Sequence, residues 1–73
     1  MVKEELINKI AEALFEEETI LTKDTVLEEL EGWDSLGRLG IVALVKEEFG
    51  KTIDSKSLFN CKKVEDIMKL VYL

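Results

Sequence analysis

Gly32-Trp33-Asp34-Ser35-Leu36-Gly37-Arg38-Leu39-Gly40-Ile41-Val42-Ala43-Leu44-Val45-Lys46-Glu47-Glu48-Phe49-Gly50 is the stretch that decides the fold. Asp34 and Ser35 are both good helix N-caps, because a short side-chain oxygen can accept one of the unpaired N–H groups of a first turn. A helical pattern follows to Phe49, and Gly50 reads as its stop. The helix is apolar on nearly every side. At about 100° per residue, Ile41, Val42, Val45 and Phe49 gather on one face, with Leu36, Leu39, Gly40, Ala43 and Glu47 opposite. Such a helix is either central or meets a partner on its second face. The first group suffices for burial, so Leu36, Leu39 and Ala43 are assigned to docking. Gly40 either admits a partner's backbone or is a tolerated surface glycine.

Working outward, Ile53-Asp54-Ser55-Lys56-Ser57-Leu58-Phe59 predicts a short turn of helix capped by Asp54. Residues 63–73 place Val64, Ile67, Met68 and Val71 on one stripe with Leu70 beside it, a last helix. Upstream, residues 2–16 carry Val2, Leu6, Ile7, Ile10, Ala13, Leu14 and Phe15 at helix spacing. That helix should fray in the acidic run Glu16-Glu17-Glu18, which opposes the helix dipole and reads as a solvated end. Between it and Gly32 lies a long irregular loop. Thr25-Val26-Leu27-Glu28 matches a capping box there, predicting a helical turn over Val26 to Leu30. Ile20, Leu21, Val26, Leu27 and Leu30 would pin the loop to the core. Trp33 should pack over it and fix the start of the second helix. The sum is one all-α domain over residues 1–73: three main helices, a short third helix and a long first loop.

Seventy-three residues support one small core and bury only about 60% of the unfolded surface, too little to build a deep cleft. The length therefore argues for a module that works with partners. Charge is uneven: residues 1–33 hold three lysines against ten acids, and residues 34–73 hold seven basic residues against six acids. An acidic chain without a basic patch is a poor nucleic-acid binder. No apolar run approaches the roughly 20 residues needed to span a bilayer, and no secretory pattern opens the chain. Cys61 stands alone and cannot form an internal disulfide, which fits a reducing compartment. The expectation is a soluble cytoplasmic monomer with Cys61 serving as a small buried hydrophobe.

The chain contains no histidine. Ser35 therefore lacks the usual base for nucleophilic catalysis, and metal-ligand spacings are absent. No glycine loop follows a strand to grip a phosphate. Ser35 reads in two ways: a plain N-cap, or a hydroxyl modified by another enzyme. The start of a helix is a favourable place for a phosphate ester.

Gly-Trp-Asp-Ser-Leu-Gly, followed by Leu-Gly-Ile-Val-Ala-Leu-Val-Lys-Glu-Glu-Phe-Gly, strongly resembles the acyl carrier proteins. The likeness covers nearly the whole chain. It includes the D-T-x-x-E-E-L element from Asp24 to Leu30, with Glu28 and Glu29 in its acidic places, and the final Val-Glu-Asp-Ile helix. The resemblance implies a small four-helix bundle with 4′-phosphopantetheine on the Ser35 hydroxyl. A separate phosphopantetheinyl transferase would attach this arm from coenzyme A, and Asp34 would help to coordinate that enzyme's magnesium ion. The arm's thiol would then carry acyl groups between acyl-loading and acyl-transfer enzymes, without catalysis by the chain itself. An aminoacyl or peptidyl carrier would use the same Ser35 chemistry, and an unmodified helical interaction module is the reading from a different class.

On this likeness, Leu36, Leu39, Gly40, Ala43, Glu47 and Ile53 are the docking residues, and Val45, Phe49, Leu58 and Cys61 line an acyl pocket. Three positions that are often acidic in the family are here Gly37, Gly40 and Lys46, leaving Asp34 and Glu47. A smaller, less negative docking face points to a dedicated lipid, polysaccharide or secondary-metabolite pathway. Lys62-Lys63 occupies the place of the family's cap for the last helix, so that helix should start less sharply.

Overall fold

A computed structural model describes residues 3–16 and 18–72. Val2 and Glu17 lie outside the described residues. The order is α1 (Lys3–Ala13), a 3-10 turn (Leu27–Glu29), α2 (Ser35–Phe49), α3 (Ser55–Phe59) and α4 (Val64–Tyr72). Among the described residues there is no strand, so the expected all-α bundle with a long first loop and a short third helix is what forms.

Helix α2 is central, and Asp34 caps it: its Oδ1 accepts from the Gly37 N–H at 2.8 Å. Ser35 is the first helical residue, so of the two possible caps the chain uses the carboxylate. Gly50 ends α2 in the left-handed region at φ 64°, donating its N–H to the Lys46 carbonyl. The core consists of Leu6, Ile10, Ala11 and Leu14 from α1 and its end, Ile41 and Val45 from α2, and Leu58 from α3. Val64, Ile67, Met68 and Val71 of α4 complete it, with Leu21, Leu27 and Cys61 from the connections. The α4 stripe is the expected one. Val42 and Phe49 are half-buried at its edge, and Phe49 meets Tyr72 edge-on with centroids 6.1 Å apart.

Helix α1 ends earlier than its pattern predicts. Phe15 sits at φ 59° while its N–H reaches the Glu12 carbonyl and the Glu16 N–H reaches Ala11. This is a Schellman stop built on a non-glycine residue, and it turns the Phe15 ring outward, 70% exposed. Glu16 is not a loose solvated end: its carboxylate accepts from the Gly32 N–H at 3.3 Å and from the Thr19 hydroxyl at 3.1 Å. An ion pair of 2.9 Å between Lys9 and Glu48 also joins α1 to α2.

The long loop corrects three expectations. The capping box does not form. Thr25 Oγ1 accepts from the Thr22 N–H at 2.8 Å, and Val26, which precedes the 3-10 turn, offers no side-chain cap. Leu21 and Leu27 are buried and Leu30 packs on the core, but Ile20 is 90% exposed and Val26 also faces outward. The loop is held instead by backbone pairing with the start of α4. Leu27 N–H donates to Lys62 O, Val64 N–H to Thr25 O, and Glu65 N–H to Lys23 O.

Helix α4 also starts more firmly than predicted. The Lys62 and Lys63 side chains are exposed, but their backbone N–H groups donate to Asp66 Oδ2 at 2.9 and 3.1 Å. A carboxylate inside the first turn reaches back and does the work of a preceding cap. These backbone hydrogen bonds hold the Asp66 carboxyl below the usual carboxylate range. Asp54 caps α3 as predicted, accepting from the Ser57 N–H at 2.7 Å, and its carboxyl is lowered chiefly by that backbone contact.

Candidate functional site

Ser35 is exposed at the first position of a fifteen-residue helix. Two glycines set this position. Gly32 lies against the Leu14 carbonyl and Gly37 against the Gly32 carbonyl, so closely that neither could carry a Cβ. The chain reverses between them, and Asp34 emerges extended at φ −133° and ψ −173° to cap the helix. The Ser35 hydroxyl is thus presented on a tightly packed corner rather than on a loose loop.

Beside it, α2 and α3 leave a groove of about 540 Å³ lined by Ser35, Arg38, Leu39, Val42, Ile53, Ser55, Lys56 and Phe59. Its apolar walls come from both helices, and its two charged groups are cations. The Arg38 guanidinium lies 5.6 Å from the Trp33 ring centroid and 5.2 Å from that of Phe59. Two rings therefore restrict a side chain that would otherwise swing freely. Trp33 is half-buried and packed on the core, as expected of a residue that fixes the start of α2.

The expected docking residues divide. Leu36 is 64% and Leu39 63% exposed, and Ala43 and Glu47 are exposed with them. Ile53 is half-buried in the groove. Gly40 turns toward α1, where a Cβ would sit 3.0 Å from the Ala13 carbonyl oxygen. Gly37 is buried. Neither glycine is a docking-face position stripped of its acid: each is a point where backbones meet. Of the three departures, only exposed Lys46 alters the charge of the outer surface.

The residues expected to line an acyl pocket belong to the interior rather than to this groove. Val45 and Leu58 are fully buried, Cys61 is nearly so, and Phe49 is half-buried; none of the four lines the groove beside Ser35. Cys61 packs as a small hydrophobe with its Sγ 3.5 Å from the Ser57 carbonyl, and burial pushes its thiol up to about 11. Arg38, Val42, Ser55, Lys56 and Phe59 escaped the reading of the sequence. Arg38 was within reach, because a residue three positions after Ser35 lies on the same side of a helix. Where α3 packs has no comparable local signal.

No group of three or more His, Cys, Asp or Glu among the described residues could hold a metal ion. No helix among them is long and apolar enough to cross a membrane. A phosphodiester fits the Ser35 corner well: an exposed hydroxyl, a helix start and two cations in the adjoining groove all suit a singly charged anion. The family comparison agrees. The chain belongs to the family described as "Phosphopantetheine attachment site", which matches it over residues 4–71. It is a phosphopantetheine-bearing carrier protein, of a kind that generally performs no catalysis of its own. No curated protein and no solved structure shows significant similarity to it.

Proposed function

We propose that Ser35 carries the phosphopantetheine and that the chain is an acyl carrier protein, ferrying acyl thioesters between the enzymes of a dedicated pathway. The observation that carries this reading is the exposed Ser35 hydroxyl at the start of α2, opening onto an apolar groove. A transferase would supply the arm from coenzyme A, with Asp34 near its magnesium ion. Leu36, Leu39, Ala43 and Glu47 form the surface that partner enzymes meet, with Ile53 at the rim of the groove. The walls contributed by Leu39, Val42, Ile53 and Phe59 favour an alkyl cargo over an aminoacyl one. A monomer in the reducing cytoplasm suits this role, since Cys61 is kept as a buried thiol.

Intact mass after incubation with coenzyme A, magnesium and a broad-specificity phosphopantetheinyl transferase tests the attachment. One phosphopantetheine should be gained by the chain and none by Ser35→Ala; an unchanged mass for both selects the unmodified interaction module. A dedicated pathway is tested by offering the loaded chain to a housekeeping ketoacyl synthase. Turnover as efficient as with that enzyme's own carrier would remove the idea.

A further inference from the structure

The groove beside Ser35 has a charge pattern that a purely apolar cargo does not explain. Arg38 and Lys56 both line it, and no carboxylate does. Neither cation forms an ion pair among the described residues. The two acids that precede α2 and α3 cap them: Asp34 accepts from the Gly37 N–H and Asp54 from the Ser57 N–H. The Ser57 contacts hold the Asp54 carboxyl low, and Lys56 adds to this only in last place. Arg38 also lines a second cavity of about 320 Å³, where Glu28 stands as the one acid beside Arg38 and Lys62.

We propose that the α2–α3 groove is an anion-reading site for a tethered chain, in which Arg38 and Lys56 pair with an oxyanion while Leu39, Val42, Ile53 and Phe59 cover the chain's apolar part. The proposal rests on the Ser35 reading, and the oxyanion has two possible sources. One is the phosphodiester on Ser35 itself; the other is a carboxylate at the end of the cargo. Arg38 is suited to either, because Trp33 and Phe59 hold its planar fork in place and less conformational freedom is lost on pairing. High affinity is not required. A tether of this kind gives an effective concentration on the order of millimolar, so a site of millimolar affinity is half occupied. The arm then rests on the protein between deliveries and leaves when a partner enzyme competes for it.

The first test needs no attachment. Free 4′-phosphopantetheine and unphosphorylated pantetheine are titrated into the full chain, following the Trp33 indole N–H and the Arg38 and Lys56 amides by NMR. The phosphorylated ligand should bind at least fivefold more tightly, and Arg38→Gln and Lys56→Gln should each narrow that gap. Lys56 is exposed, so its variant keeps the test valid if Arg38→Gln disturbs the fold. Equal binding of the two ligands overturns the proposal.

The second test separates the sources on the loaded chain, with loading confirmed by mass. Perturbation of these signals in the cargo-free holo form assigns the phosphodiester. Perturbation that appears with a succinyl but not a butyryl load assigns a cargo carboxylate. No change in any loaded form overturns the proposal. A chain that binds free 4′-phosphopantetheine in this way but accepts no arm overturns the Ser35 reading and leaves the groove standing.

Discussion

Gly32 rests directly on the backbone of Leu14: a Cβ at position 32 would lie inside the Leu14 carbonyl group. This contact joins the end of α1 to the corner that presents Ser35, and the Gly32 N–H is tied to Glu16 from the same side. Backbone cannot move aside as the end of a side chain can. Gly32→Ala should therefore cost about 3 kcal/mol or more, at the upper end of what overpacking does. Urea unfolding would show the loss as a lower midpoint. Gly40→Ala supplies the contrast, since its Cβ would sit 3.0 Å from the Ala13 oxygen and otherwise in ordinary contact with Ala13, and alanine favours the helix. It should fall within about 1 kcal/mol of the parent chain, and equal effects from the two variants would contradict this account.

Phe15 presents the opposite case, a side chain where glycine fits better. Its φ of 59° costs about 1–2 kcal/mol for a residue with a Cβ, and its ring is largely exposed. Phe15→Gly should raise stability by about 1 kcal/mol, or about 4–8 °C in Tm for a domain of this size. A thermal melt decides it. A lower Tm would mean that the exposed ring contributes more than its backbone strain removes.

These two positions explain which parts of the architecture were legible. Helices α2 and α3 follow from the sequence because their stops and caps are the expected types, Asp34, Gly50 and Asp54, and α4 follows from its apolar stripe of Val64, Ile67, Met68 and Val71. The end of α1 was misread because a phenylalanine occupies the left-handed stop, so the apolar spacing runs past the true end. The Thr25 motif misled for a different reason: its hydroxyl and its carbonyl are both taken, by the Thr22 N–H and the Val64 N–H. Pairing between segments some forty residues apart leaves no trace in local sequence.

The same limit applies to the site. Ser35 and Asp34 could be singled out because the chemistry of a helix start is local. Leu36, Leu39, Ala43 and Glu47 were placed outward correctly by the helix period. The groove is a product of where α3 lies, so its walls could not be read. Gly37 and Gly40 were misjudged because a missing side chain looks alike whether it faces a partner or a neighbouring backbone.

Asp66 holds the start of α4 through two backbone N–H groups, and this makes the end of the fold sensitive to acid. Its carboxyl titrates lower in the folded chain than its ordinary value of 3.8. A carboxyl lowered by folding contributes stability that is complete above the unfolded value and disappears as pH falls through the folded one. Stability should therefore decline below about pH 4. Asp66→Asn should flatten that decline while lowering stability at neutral pH. Circular dichroism during acid titration measures both, and parallel curves for the two proteins would refute the assignment.

Leu39 tests the outer face of α2. Its side chain is 63% exposed, so Leu39→Asp should change stability by no more than about 0.5 kcal/mol. If partners dock there, the charge enters a desolvated contact, and transferase kcat/KM should fall about tenfold, which corresponds to about 1.4 kcal/mol. Unchanged loading kinetics would remove Leu39 from the docking surface.

Cys61 and the proposed arm should be distinguishable as thiols. Burial pushes the Cys61 thiol up to about 11, and the side chain is 7% exposed. Near pH 8 this lowers its thiolate fraction by about a hundredfold relative to a free thiol, before restricted access slows it further. With a chromogenic disulfide reagent, the folded apo chain should react at least a hundredfold more slowly than the same chain in urea. Loading should add one rapidly reacting thiol equivalent, because the arm's sulfur ends a flexible tether. A fast thiol in the folded apo chain would place Cys61 nearer the surface than the core packing allows. A holo chain with no added fast equivalent would show the arm's thiol to be sequestered in the groove, binding more of the arm than its phosphodiester alone.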